Sequence, residues 1–292
     1  MSNTVGRAAK SLDTSRSGEE AVGAGRFRGF ALWKTLGPFL VFAAILLTVS
    51  IANPAFLGGT GISIVTESAA PILLVALGQA MVLNIGSIDL SNAAISLYGA
   101  ILLALALPTL GIGAPIAVLV LVTLFGAING AIVAYAQVPS FALTLATLGI
   151  LEAAVLVTSG SETIYVSQNR QLVTTLYQYL LADIPLTFWI GVFFAILYWA
   201  MLRFTRIGQG MTAMGKNEPG AIFSAVRTRW LKVLAFAISG FTGGLTGISI
   251  VAQAGSASAS GLGSDLLLPG ITAALVGGTA GADGMVDGGL AA

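Results

Sequence analysis

Asn84-Ile85-Gly86-Ser87-Ile88-Asp89-Leu90-Ser91-Asn92 interrupts an apolar run that extends from Ile62 to Leu107. A helix needs about 20 residues, at about 1.5 Å each, to cross about 30 Å of hydrocarbon. If the polar stretch were an aqueous turn, Ala93 to Leu107 alone would have to cross, and at about 22 Å they fall short. The stretch is therefore expected to lie at least partly within the membrane. Non-helical backbone at that depth is tolerated only where protein buries it or where it lines a watery cavity, and such broken helices mark transport paths. Asp89 has no Lys or Arg near it in the spans. It is expected to cap a helix restarting at Leu90, its carboxylate accepting backbone N–H bonds, with contact to a solute left open.

Working outward, residues 35–169 contain no Lys or Arg. Apart from Arg170, the basic residues fall in two groups: Arg7, Lys10, Arg16, Arg26, Arg28 and Lys34, then Arg203, Arg206, Lys216, Arg227, Arg229 and Lys232. Soluble surfaces need charge throughout, whereas polytopic membrane proteins gather Lys and Arg in loops that stay cytoplasmic. Hydrophobic residues make up 56% of the chain and charged residues 9%. Mean hydropathy is +0.94. The fold class is all-α, a polytopic membrane protein with seven or eight transmembrane helices and a broken helix near 84–92. The spans fall near 35–53, 62–84, 86–107, 114–134, 139–158, 187–202 and 233–252, with an incomplete eighth near 266–280. Asn53-Pro54, Pro108, Gly113 to Pro115 and Val138-Pro139 supply turns.

Residues 1–34 read as a disordered basic cytoplasmic tail, and the first span reads as uncleaved rather than as a secretory signal. Starting inside, six crossings return the chain to the inside at Arg203, where the second basic group begins. The loop 159–186 is then external. Within it Leu172, Val173, Leu176, Tyr179 and Leu180 recur at helical spacing, as in a helix lying at the outer interface or a simple helix of a surface loop. The loop 203–232 is cytoplasmic.

With zero Cys and zero His, disulfides, Cys/His metal sites and His-based catalysis are excluded. No catalytic residue, metal site or cofactor is expected, and the basic groups flank apolar spans instead of forming a nucleic-acid-binding face. Gly126 and Gly130, Gly240 and Gly244, and Gly243 and Gly247 stand four apart, a spacing that lets helices pack with backbones nearly touching. Asn129, between the first pair, is either an interhelical hydrogen bond or part of a cavity wall. Gly210 to Asn217 fits the phosphate-binding loop pattern except that Asn217 replaces the Ser or Thr that would hold Mg²⁺. A membrane span precedes it and Pro219 follows, so the match is read as coincidence.

Thr205-Arg206-Ile207-Gly208 followed by Ala213-Met214-Gly215-Lys216-Asn217-Glu218-Pro219-Gly220-Ala221 resembles the cytoplasmic loop of the inner-membrane permeases of ATP-binding-cassette sugar importers, the ribose, xylose and galactose type. Ser87-Ile88-Asp89-Leu90-Ser91 is similar to that family's most typical segment, and Gly277-Gly278-Thr279 to its late Gly-Gly-Thr. The resemblance covers about residues 35–284. It implies a permease domain over 35–292, with a short coupling helix at about 212–226 that docks on an ATPase subunit. Arg206, Gly208, Gly215, Asn217, Glu218 and Ala221 are the coupling residues it implies. The implied partners are a cytoplasmic ATP-binding-cassette ATPase, a second permease subunit, an extracytoplasmic solute-binding protein and membrane lipid. The implied location is the bacterial inner membrane, with the N-terminus in the cytoplasm. Lys216 and Ser87 stand where the family usually has Gly, and Pro219 where it usually has Ala. Members continue for about two further spans, so the domain is expected to be incomplete at its C-terminus.

The expected activity is translocation of a monosaccharide-like solute along a path containing Asn84, Ser87, Asp89, Ser91 and Asn129. An ion-coupled secondary transporter of a small polar solute is the alternative. Glu67, Asp89 and Glu152 lack the basic partners and repeated acidic pattern of a proton relay. An intramembrane enzyme would need a nucleophile with a base or a metal, and no such constellation is present.

Overall fold

The structure, a computed structural model, describes Gly37 and residues 40–260 and 265–277. The basic tail with Lys34, the first residues of the first span, Gly278, Thr279 and residues 283–292 lie outside the described residues. The chain divides into two compact units, Met1–Gly58 and Gly59–Ala292. In the first unit, helix α1 (Leu40–Ala52) precedes a 3₁₀ turn (Pro54–Leu57), where the Asn53 side chain accepts a bond from the N–H of Ala55.

The second unit contains α2 (Gly59–Leu83), α3 (Asn92–Leu110), α4 (Gly113–Ala136), α5 (Ser140–Ser159), α6 (Gln171–Gln178), α7 (Leu186–Phe204), α8 (Arg206–Lys216), α9 (Glu218–Phe223), α10 (Thr228–Ala254) and α11 (Leu267–Val276). Six of these, α2, α3, α4, α5, α7 and α10, are long and apolar enough to cross a membrane. The expected first and eighth spans are represented among the described residues by the shorter apolar helices α1 and α11. Four two-residue strands pair as β1 (Ile164–Tyr165) with β4 (Ser256–Ala257) and β2 (Leu180–Leu181) with β3 (Ile184–Pro185), both antiparallel.

Pro108 does not end α3; it sits inside the last turns, and the helix stops at Leu110 before Gly111 at φ +52°. At 19 residues α3 is about 28 Å long, enough to cross by itself. The length argument for placing the polar stretch inside the membrane therefore fails, and its placement rests on burial within the protein. In the loop expected to be external, Val173 of α6 is buried, but Leu172, Tyr179 and Leu180 are exposed, and the last two lie beyond the helix. The single apolar face expected there is split.

α10 packs against α4, α2 and α3. The glycines explain how. A Cβ on Gly240 would sit 2.6 Å from the Val122 carbonyl oxygen, one on Gly247 2.7 Å from that of Ser96, and one on Gly126 would strike the Phe236 carbonyl. Backbones this close gain dispersion contacts that lipid cannot supply. On the opposite face of α4, Ile116, Val120, Leu124, Ile128 and Ile132 are exposed at every fourth position, as a lipid-facing ridge.

The chain has no cysteine, so single introduced thiols report topology cleanly. Ser224 and Glu162 are exposed on the two long loops. Ser224→Cys is expected to react with a membrane-impermeant maleimide only from the cytoplasmic face of inverted vesicles, and Glu162→Cys only in intact cells with an opened outer membrane. Labelling of both from one face contradicts the topology.

Candidate functional site

Between α2 and α3 the backbone of residues 84–91 leaves the helix, and most of its N–H groups find acceptors piece by piece. The N–H groups of Gly86 and Ser87 turn back to the carbonyls of Leu83 and Val82. The N–H of Ile88 donates to Ser140 Oγ (3.1 Å), and that of Leu90 to Thr144 Oγ1 (3.0 Å). Ser140 and Thr144 are one turn apart on α5, so one helix face holds the break. The Asp89 carbonyl accepts from the Gln79 amide of α2.

The Asp89 side chain is fully buried and ties the break to α10. One carboxyl oxygen accepts the Ser91 N–H (2.9 Å) and the Ser91 hydroxyl (2.6 Å); the other accepts the Ser239 hydroxyl of α10 (2.7 Å). The Asn92 amide donates to the same Ser239, at its Oγ (2.8 Å) and its carbonyl (2.6 Å). Asn129 of α4 donates to Ser91 Oγ (3.0 Å) and accepts from Thr147 of α5 (2.9 Å). Asn129 thus makes hydrogen bonds to the break and to α5. The expected restart of the helix at Leu90 is corrected: α3 begins at Asn92, the Ser91 carbonyl accepting its first helical bond, from the N–H of Ile95. Asp89 still supplies an acceptor to the helix entrance through the Ser91 N–H.

The structure brings Asp89, Ser91 and Asn129 into one buried network. Asn84 stands apart from it, its amide donating to Thr212 of α8 (3.3 Å). Ser87 lines a cavity of about 810 Å³ together with Gln137, Ser140, Phe141, Glu218, Phe223 and others. That volume lies in the range of small-molecule sites.

The coupling helix expected over about 212–226 is instead two helices. Thr205 caps α8 by accepting from the N–H of Gly208 (3.1 Å), and Asn217 ends it and caps α9 by accepting from Gly220 (3.0 Å). Pro219 fits the first turn of α9, where its missing N–H costs nothing. The stretch resembling a phosphate loop is helical up to Lys216. Gly208, Gly215 and Ala221 face protein, with Gly208 packed on Leu202 and Ala221 buried. Arg206 and Asn217 are exposed, and Glu218 pairs with Lys232 at 2.7 Å. On α9 the outward side chains are Ile222 and Phe223, the latter 91% exposed.

Gln79, Ser239, Thr144, Thr147 and Phe223 were not singled out from the sequence. Two signals were present. Ser140, Thr144 and Thr147 form a polar stripe at i, i+4 and i+7, and Ser239, Thr242, Thr246, Ser249 and Gln253 form another along α10.

The family model described as branched-chain amino acid transport system / permease component matches residues 61–291. The ribose import permease protein of Haemophilus influenzae is 32% identical over 246 residues, which is 82% of this chain and 76% of that protein. The xylose/arabinose import permease protein of Sulfolobus acidocaldarius is 30% identical, covering 82% of this chain and 69% of its own length. The L-arabinose ABC transporter permease protein of Azospirillum brasilense is 26% identical, with 82% and 71% covered. No solved structure matches the chain.

The hydrogen bonds of Asp89 give an ordered series of substitutions. Asp89→Asn keeps one acceptor oxygen and is expected to lower stability by about 1–2 kcal/mol, whereas Asp89→Leu leaves the Ser91 and Ser239 donors buried without partners, at about 1–3 kcal/mol for each. Unfolding in detergent followed by Trp fluorescence measures the order. Equal stability of the two variants would show that the carboxyl group does not hold the break.

Proposed function

Because the chain belongs to the branched-chain amino acid transport system / permease component family, we propose that it is the permease subunit of an ATP-binding-cassette importer carrying a monosaccharide-like solute across the bacterial inner membrane. The observation that carries this reading is the similarity to import permeases for ribose, xylose/arabinose and L-arabinose. The six membrane-length helices and the hydrogen-bonded break support it. The chain does no chemistry itself. A second permease subunit completes the membrane domain, a solute-binding protein delivers from outside, and the N-terminus lies in the cytoplasm.

The ATPase subunit docks on the 205–227 loop. Ile222 and Phe223 supply the apolar surface that an interface centre needs, and an aromatic anchor is the residue type that carries most binding energy there. The solute leaves along the cavity bounded by Ser87, Gln137 and Ser140. Asp89, Ser91 and Asn129 hold the wall of that path in position, and alternating access moves the wall.

Vesicles carrying the chain with its cognate ATPase and binding protein are expected to accumulate radiolabelled D-ribose or D-xylose when ATP is supplied, and not in response to an imposed H⁺ or Na⁺ gradient. Uptake driven by the gradient without ATP favours the secondary transporter. Phe223→Ala is expected to weaken ATPase binding by tenfold or more, about 1.4 kcal/mol, as read by pull-down titration. Undiminished binding moves the docking surface off α9.

A further inference from the structure

The coupling segment and the membrane break meet closely at Gly215. Gly215, in the last turn of α8, packs so closely on the Asn84 carbonyl that a Cβ there would overlap it. Gly86, at φ +73°, lies against Gly215 beside Asn84, with less than 4 Å between a Cβ placed on Gly86 and the Gly215 backbone. One turn back, Thr212 meets the Asn84 side chain at 3.3 Å. Around this contact Met211 and Met214 of α8 are fully buried in one cluster with Met81, Val82 and Ile85. Close-packed groups of this kind transmit displacement instead of absorbing it.

α9 joins the same buried cluster through Ala221. The cavity of about 810 Å³ is bounded by Ile85 to Ile88 on one side and by Glu218, Pro219, Ile222 and Phe223 on the other. A push on Phe223 is passed to α8 through Asn217 and through the shared cluster, or to the start of α10 through the Glu218–Lys232 pair. From Asn84 only three residues of irregular chain lead to Ser87, where the path wall begins, and two more to the network at Asp89.

We propose that Gly215, Thr212 and Asn84 form a mechanical clamp that makes α8 and the 84–88 segment one moving body. Movement imposed on the coupling segment then displaces Ser87 and pulls on the hydrogen bonds of Asp89. Asn84, placed in the solute path by the sequence, acts as a positioning residue of this clamp. The clamp rests on the reading of the chain as an ATP-driven permease.

The test uses the full complex with its ATPase and Ser87→Cys as the one thiol in the permease. The rate of maleimide labelling is compared in the resting state and after trapping with ATP and vanadate, and ATPase binding is read in parallel by pull-down. In the Ser87→Cys parent, trapping is expected to change the labelling rate at least threefold. Adding Thr212→Val is expected to leave the ATPase bound and trapped but to abolish that change, while Thr212→Ser, which keeps the hydroxyl, retains it. A change that persists in Thr212→Val, or one that is missing from the parent although its ATPase is trapped, overturns the clamp. A parent that does not bind the ATPase removes the permease reading, and the clamp with it, and is told apart by the pull-down alone.

Discussion

The buried break at residues 84–91, with Asp89 at its centre, is the point on which the arrangement of α2, α3, α4, α5 and α10 depends. A chain that leaves the helix within a bilayer exposes backbone N–H and C=O groups where no water can satisfy them, at several kcal/mol for each. Here the break is held by acceptors and donors from three helices: Ser140 and Thr144 from α5, Gln79 from α2, and Ser239 from α10 through Asp89 itself. Asn129 of α4 joins through Ser91. Each of these helices can occupy only the position that completes its bond, so a polar break specifies the packing of an otherwise apolar bundle.

That arrangement requires α10 to lie very close to α3 and α4, and the glycines at 126, 240, 243, 244 and 247 permit it. Ser239 and Gly240 are neighbours: one reaches Asp89 while the other lets the helix approach Val122 and Gly126. The polar contact and the close contact are thus two consequences of one helix face. The same logic recurs where α8 meets the break, with Thr212 supplying the polar partner and Gly215 the close approach.

Much of this was legible in the chain. The gap in Lys and Arg from residue 35 to 169 and the basic group after Arg203 mark spans and loops, because charge is excluded from hydrocarbon whatever the tertiary fold. The importance of Ser87 to Asn92 was legible because polar residues in an apolar run need a reason. Their partners were not read. Ser239 stands 150 residues from Asp89, and a serine in a helix can as well bond its own backbone, as Thr242 and Thr246 do. The boundaries of α3 and of the coupling helices were misjudged for local reasons: a proline tolerated near a helix end, and an Asn217 whose side chain starts a new helix where propensity alone would continue the old one.

The claim that Asp89 binds α10 through Ser239 is tested most directly by a double-mutant cycle. Asp89→Asn, Ser239→Ala and the double variant are unfolded in the same detergent and their stabilities compared with the wild type. Two groups that share a buried hydrogen bond are expected to be coupled, the double variant being less destabilised than the sum of the single ones by about 1–2 kcal/mol. Additive losses within about 0.3 kcal/mol would mean that the two side chains act independently and that the break is held by something else.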